Sequence, residues 1–517
     1  MAIKLTTATL LAKDSQSLGI TKFQLLCVLA SSIATINYGW NLAVTNLPGD
    51  IITQCLAGPR HEIGGLPSCM PTTSFIWGVA IGSYAVGALI GALASTWFSN
   101  NFGRKFVLMY FNVIGLAATL LLALPVNIPM FVVGRIIAGV AQGAANGTFS
   151  SYVVEITTPR ARSSLASMTQ MAVVFGQMIA LIIALGMLKP PLWRILFSLT
   201  GALCLISMAL MHFCVESPKW LATKGRLDEA QVALQKLREG ADITDEYAQL
   251  LETTKKSTDM KQDYTASVLD VILGRTPENL RHQLLVAVMV MFFQQASGIS
   301  AISFYSTTLF GTISPTQDVD RDISKPNLAQ ILSVVLTIIG AFSTLVGMFV
   351  ANYLGRRTLM LASHGLMAIF CVLISVGSIV DIPIMAIVMV FFYFFSYFFG
   401  PGPLPWVIPN EMTPTYAITA IMAINNCIGY LGTFVVGLIF SPMLSAMNGY
   451  TFLIFAGLNA LAFVCFFFFL PETKDRLIAD MVKVHSVGIH NVLQSKYRVN
   501  AYINRRNNRI DPIGQTC

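Results

Sequence analysis

The chain has 517 residues, of which 55% are hydrophobic and only 11% charged, with a mean hydropathy of +0.67. Soluble proteins carry about 25% charged residues, so the composition excludes a soluble globular protein and points to a polytopic membrane protein. The net charge of +8 does not indicate a nucleic-acid partner. Much of the excess lies in the C-terminal tail, at Lys496, Arg498, Arg505, Arg506 and Arg509, and most other basic residues sit between apolar runs, where they set topology and can meet anionic lipid.

Twelve apolar stretches reach spanning length, near 24–45, 75–98, 106–124, 130–152, 164–187, 192–213, 284–310, 328–353, 358–379, 384–409, 416–440 and 449–470. About 20 apolar residues suffice for a helical crossing. The runs are too long, and lack the alternation, for membrane strands. The predicted organisation is a cytoplasmic segment 1–23, a six-helix half 24–213, a cytoplasmic helical linker 214–281, a second six-helix half 282–470 and a basic tail 471–517. Residues 1–23 are polar and basic and span 1 is too long for a signal's apolar core, so no cleavable signal peptide is expected.

Span 1 carries Asn37, Tyr38, Trp40 and Asn41. An amide at Asn41 cannot take up and release a proton in the physiological range, which favours facilitated diffusion over proton coupling. The connection 46–72 holds Cys55 and Cys69, which form a bridge if it faces an oxidising compartment and two free thiols otherwise. Spans 2 and 3 meet at the tight basic turn Gly103-Arg104-Lys105, and spans 8 and 9 at Gly355-Arg356-Arg357, 252 residues later. Such turns mark the cytoplasmic side, and their separation indicates a duplicated six-helix unit. Span 4 spaces Gly139, Gly143 and Gly147 for close helix packing and ends in Glu155-Ile156-Thr157-Thr158-Pro159-Arg160-Ala161-Arg162. Gln170 and Gln177 lie two turns apart on span 5, and span 6 ends in Glu216-Ser217-Pro218-Lys219.

In the linker, Ser217-Pro218 has the chemistry of a helix start. Leu227, Ala230, Leu234 and Leu237 form an apolar stripe, and a further helix is predicted near 243–256. Its mixed charges read as a solvated face. The chain has no phosphate loop, no metal-spaced His/Cys set and no catalytic triad, so neither cofactor, metal nor enzymatic activity is expected.

Span 7 places Gln294, Gln295, Ser297, Gly298 and Ser300 halfway along an apolar run. Polar groups at that depth face protein, water or a ligand. Two amides can match a sugar diol without charge, or they can join helices. Span 10 is interrupted by Gly400-Pro401-Gly402-Pro403-Leu404-Pro405, then Trp406, whose indole can stack on the apolar face of a sugar ring. Glu411 follows, and the chain leaves span 12 at Pro471-Glu472-Thr473-Lys474.

These motifs, in this order, resemble the sugar porter family of the major facilitator superfamily over nearly all of 24–474, in the style of facilitative hexose transporters. The resemblance implies an all-α fold of two pseudo-symmetric six-helix halves, both termini cytoplasmic, rocking in alternating access around a midplane site. It implies sugar contacts at Gln294, Gln295 and Trp406, at Gln170 by its register eight residues beyond Arg162, at Asn41, and at Ser300 where an asparagine is usual. It further implies an inner gate of Glu155 and Arg162 within a network that includes Arg104, Glu216, Arg356 and Glu411. The chain departs from the family pattern with Asn100 and Asn352 in place of Asp, Gly340 and Gly429-Tyr430 in place of amides, and Ile418 in place of the Arg that would pair with Glu411. The expected activity is uniport of a hexose in a plasma or internal membrane. The alternatives are a carrier of another polyol or metabolite, and a non-transporting nutrient receptor or trafficking factor on the same fold.

Overall fold

The computed structural model describes residues 21–55, 62–63, 65–158, 168–189, 191–239, 241–259, 268–276, 280–313, 326–414 and 417–473. Spans 1 to 6 are the helices Lys22–Ala43, Ser74–Phe102, Arg104–Ala123, Ile128–Ile156, Met168–Leu185 and Leu192–Phe213. Spans 8 and 9 are Leu328–Tyr353 and Arg356–Ile379, and spans 11 and 12 are Ile418–Met447 and Thr451–Phe469. Among the described residues, eleven segments are long and apolar enough to cross a membrane, the last of them the 50 residues Ala420–Phe469. At about 1.5 Å per residue that segment is more than twice the hydrocarbon thickness of about 30 Å. It breaks at Asn448, whose φ of 45° is left-handed, into the helices Ile418–Met447 and Thr451–Phe469, each long enough to cross.

The helix starts follow from local chemistry. Thr21 and Asn327 form capping boxes with Gln24 and Gln330, while Thr73 and Asn127 accept from the backbone N–H of Ile76 and Met130. Spans 7 and 10 are the broken ones. Span 7 is Arg281–Ala296 followed by Ile299–Ile313, hinged at Gly298 with φ 95°, a conformation that glycine takes at no steric cost. Span 10 is Pro383–Phe399 followed by Leu404–Met412, with two glycines and two prolines between them.

Within the first half the spans pack backbone to backbone. A Cβ on Gly139 of span 4 would lie 2.9 Å from the Gly87 Cα of span 2, and one on Gly143 would enter the backbone of Ala88. Toward the end opposite the basic turns, one apolar core runs through both halves, from Trp40, Trp77 and Phe131 to Phe310, Tyr393 and Phe440. At the basic end the core divides. Cys27, Leu108, Phe149, Tyr152 and Met211 cluster in the first half, and Val290, Phe293, Met360, Ile408 and Phe466 in the second.

The linker folds against the first half. Ala230, Leu234 and Leu237 of the helix Leu227–Leu237 are buried, as the apolar stripe requires, while Leu227 is exposed. The next helix runs Thr244–Asp259, and a further short one, Val268–Leu273, precedes span 7. The reading of the linker's charges as wholly solvated fails at Arg238. It is buried, pairs with Glu246 at 2.5 Å and donates to the Ile156 carbonyl at 3.1 Å, which ties the linker to the end of span 4.

Candidate functional site

At the break of span 7 the two glutamines part company. The Gln294 side chain is 3% exposed, and its Nε2 donates to the carbonyls of Pro401 and Gly402 at 2.8 and 3.1 Å. Those carbonyls are among the groups freed by the interruption of span 10, so Gln294 joins one broken helix to the other and fulfils the helix-joining role. Gln295 is half-buried. Its Oε1 accepts from Ser300 Oγ and Thr433 Oγ1, both at 3.0 Å, and its Nε2 reaches Gln294 Oε1 at 3.4 Å. Ser300 is therefore committed to Gln295. The break itself is held by the Ser297 carbonyl, which accepts from Tyr393 Oη at 2.7 Å and Asn459 Nδ2 at 3.3 Å. Trp406 lies one turn beyond the span 10 break and is half-buried.

Asn41 lies elsewhere. It is fully buried in the first half, donating to the carbonyl and Oδ1 of Asn37 and accepting from Thr200 Oγ1. Its backbone oxygen accepts from the enclosed Arg135 at 2.8 Å, and the Arg135 guanidinium sits 4.6 Å above the Tyr84 ring. In this conformation Asn41 packs within the first half. Gln170 occupies the first described turn of span 5 and is half-buried, and Gln177 is buried two turns on.

The charged residues at the basic end form two matching clamps. In the first half Arg104 pairs with Glu155 at 2.9 Å, and Ser217 Oγ donates to Glu155 at 2.5 Å. Glu216 accepts from the backbone N–H of Arg104, Lys105 and Ser217 at 2.8–3.1 Å, which caps the positive end of span 3 with a carboxylate. Burial holds the Glu216 carboxyl above the usual carboxylate range, against the pull of those N–H groups. In the second half Arg356 pairs with Glu411 at 3.0 Å, Thr473 donates to Glu411, and Glu472 accepts from the backbone N–H of Arg356 and Arg357 at 2.8 and 3.2 Å. Glu411 accordingly has its cation in Arg356, correcting the expectation that Ile418 leaves it without one. Arg162, assigned with Glu155 to the gate, lies outside the described residues.

Glu472 and Thr473 belong to the motif that closes span 12, which by itself assigns them no role; the structure places them in the second clamp. The signal for them is the repeat: Glu155, Glu216 and Ser217 map onto Glu411, Glu472 and Thr473 at a constant 256 residues. The pairs Arg104–Glu155 and Arg356–Glu411 each join elements of one half.

At the opposite end the halves touch. Asn46 donates to the Ser303 carbonyl and Ser306 Oγ at 3.0 and 2.7 Å and accepts from the Thr307 N–H at 3.2 Å, joining span 1 to span 7. A Cβ on Gly78 of span 2 would lie 2.9 Å from the Leu438 carbonyl oxygen of span 11, and one on Gly82 3.0 Å from the Phe434 ring. Cys55 and Cys69 are disulfide-bonded, with Cα atoms 5.4 Å apart. The bridge closes a hairpin of two short antiparallel strands, β1 (Glu62–Ile63) and β2 (Leu66–Pro67). This hairpin rests on span 6, where Arg194 donates to the Pro67 carbonyl at 2.7 Å and Trp193 Nε1 to that of Ser68 at 3.2 Å.

Two six-helix halves joined at the end opposite the basic turns, with broken helices and a half-buried amide where spans 7 and 11 meet, have the architecture of a membrane carrier that alternates access to a central site. The family model described as "Sugar (and other) transporter" matches residues 26–484, and the chain belongs to that family. Solute carrier family 2, facilitated glucose transporter member 3, is 29% identical over 483 residues in Ovis aries, covering 90% of this chain and 94% of that protein. In Homo sapiens it is 27% identical over 486 residues, covering 91% and 94%. Among solved structures, the inward-open xylose transporter XylE from E. coli aligns with a TM-score of 0.71 at 21% identity, over 89% of this chain and 99% of that one. Its partially occluded inward-open form aligns with a TM-score of 0.69, over 87% and 100%.

Proposed function

We propose that this protein carries a monosaccharide down its gradient, performing no chemical conversion on it. The observation that carries the reading is the half-buried Gln295 amide at the junction of two broken helices, in a pair of halves joined by Asn46 at the end opposite the basic turns. The names of the relatives, facilitated glucose transporters and a xylose transporter, support the sugar class. The positive-inside rule supports a cytoplasmic position for the turns bearing Arg104, Lys105, Arg356 and Arg357. Both termini then lie inside, and the conformation is inward-facing. The disulfide hairpin faces outward, toward an oxidising compartment. Gln295, Ser300, Trp406 and Gln170 are the proposed contacts, and the two charge clamps hold the cytoplasmic ends of each half. Arg162 belongs to this proposal on its motif alone.

Purified protein in liposomes tests the reading. Saturable, stereoselective entry of labelled monosaccharide is expected, with counterflow when the vesicles are preloaded. Binding without any flux would identify a receptor; neither binding nor flux with any monosaccharide would refute the reading.

A further inference from the structure

Taking the sugar-carrier reading as its base, span 11 shows where the sugar's path continues beyond Gln295. Three faces of this helix are fixed by what they meet. Thr433 donates to Gln295 Oε1 at 3.0 Å, and a Cβ on Gly429, one turn nearer the basic end, would lie 3.1 Å from Met291 Sδ, so this face meets span 7. Phe434 and Leu438 lie against Gly82 and Gly78 of span 2, so the next face meets the first half. Leu431, Val435 and Ile439 are 46–50% exposed and form the stripe turned to lipid.

At about 100° of turn per residue, Asn426 falls within about 20° of Thr433 and about 180° from Val435. An amide on the lipid stripe would be costly. Asn426 lies on the side away from it, between the face on span 7 and the face on the first half, and is half-buried. Its remaining exposure therefore opens on the space between the halves, and its Oδ1 has no hydrogen-bond partner. The neighbouring Asn425 is fully buried and donates to the Pro405 carbonyl at 3.1 Å, which fastens the segment carrying Trp406 at the same level of span 11.

Span 11 starts at the basic end, and Asn426 precedes Thr433 by two turns, so its amide lies about 10 Å nearer that end than Gln295's partner. We propose that Asn426 is a further sugar contact, with Trp406 beside it, made only while the carrier is open at the basic end. When the basic ends come together, the space in front of Asn426 closes with them. Its amide can accept from one sugar hydroxyl and donate to the next. The contact adds affinity for sugar meeting the carrier from the basic end and none for sugar arriving from the disulfide end.

The test uses sealed membrane vesicles sorted by orientation, with initial rates of radiolabelled D-glucose and D-xylose entering from the disulfide end and from the basic end measured separately. In Asn426→Leu the half-saturation concentration at the basic end should rise by about threefold or more relative to that at the disulfide end, as for one lost hydrogen bond. A carrier running downhill has the same ratio of maximal rate to half-saturation concentration in both directions, so the maximal rates should part by the same factor. A merely structural defect moves both directions alike. Asn426→Gln, which keeps an amide, should bring the two directions back together, and Gln295→Ala should raise both half-saturation concentrations. Equal changes at the two ends in Asn426→Leu, or none, would overturn the inference and leave the sugar carrier standing. If that variant does not accumulate as monodisperse protein, Asn426→Ala carries the same expectation. Saturable flux of neither sugar in the wild type would overturn the inference and its base together.

Discussion

Gln294 and Gln295 are adjacent and identical in type, yet the break in span 7 sets them to different tasks. Replacing Gln294 with Ala would strand the Pro401 and Gly402 carbonyls at membrane depth, at a cost of about 1–3 kcal/mol. The midpoint of thermal unfolding in detergent should fall in that variant. Gln295→Ala should leave the midpoint near the wild-type value while raising the half-saturation concentration, roughly fivefold for the loss of about 1 kcal/mol. At the basic end, the raised pKa of Glu216 gives a signed pH effect. A carboxyl whose folded pKa lies above its unfolded value, about 4.3 for Glu, contributes stability below that pH and loses it as pH rises through the folded pKa. The stability of wild type relative to Glu216→Gln should therefore decline as pH is raised from about 4 toward neutrality. A difference independent of pH in paired melting curves would contradict this.

At the scale of the helix, glycine decides both what holds and what moves. Gly139 and Gly143 join spans 2 and 4 inside one half, so Gly143→Leu should prevent folding of that half, seen as loss of monodisperse protein. Gly78 lies instead on the seam between halves. Gly78→Leu should wedge spans 2 and 11 apart and favour the state open at the disulfide end, read as faster labelling of a cysteine introduced at Ser303 by an impermeant thiol reagent. Much of this level was legible in advance. Twelve apolar runs gave the spans, and the Pro/Gly cluster at 400–405 gave the broken helix, because both depend on local composition. What escaped was long-range pairing. Nothing near Gln294 in sequence says that its donors meet carbonyls 107 and 108 residues away. Likewise, Asn41 reads as polar and exposed until Asn37, Thr200 and Arg135 are seen around it. The Arg356–Glu411 pair escaped because one motif's missing cation was sought at Ile418, whereas the first half already pairs the turn arginine with the span-end glutamate.

Over the whole molecule, the described span helices contain only two carboxylates, Glu155 and Glu411, and both are paired at the basic end. The buried cation Arg135 is met by carbonyls and an aromatic ring. A carboxylate with a shifted pKa is the usual means of tying proton movement to a conformational change. In liposomes an imposed proton gradient should thus leave the final internal sugar concentration equal to the external one. Accumulation abolished by a protonophore would contradict this, and would direct attention to His364. That residue is enclosed within span 9, with its Nδ1 3.0 Å from the Met360 carbonyl.

The clamp built from Glu472 and Thr473 has a practical corollary for truncation and tagging. The second half is not finished where span 12 ends at Phe469, because two of its clamp residues, Glu472 and Thr473, lie three and four residues further on. A stop codon after Lys474 keeps both clamp residues. One placed after Leu470 should uncap span 9 and free Glu411 of a partner, so that a fluorescent fusion at that point would report poor expression of an otherwise intact reading frame.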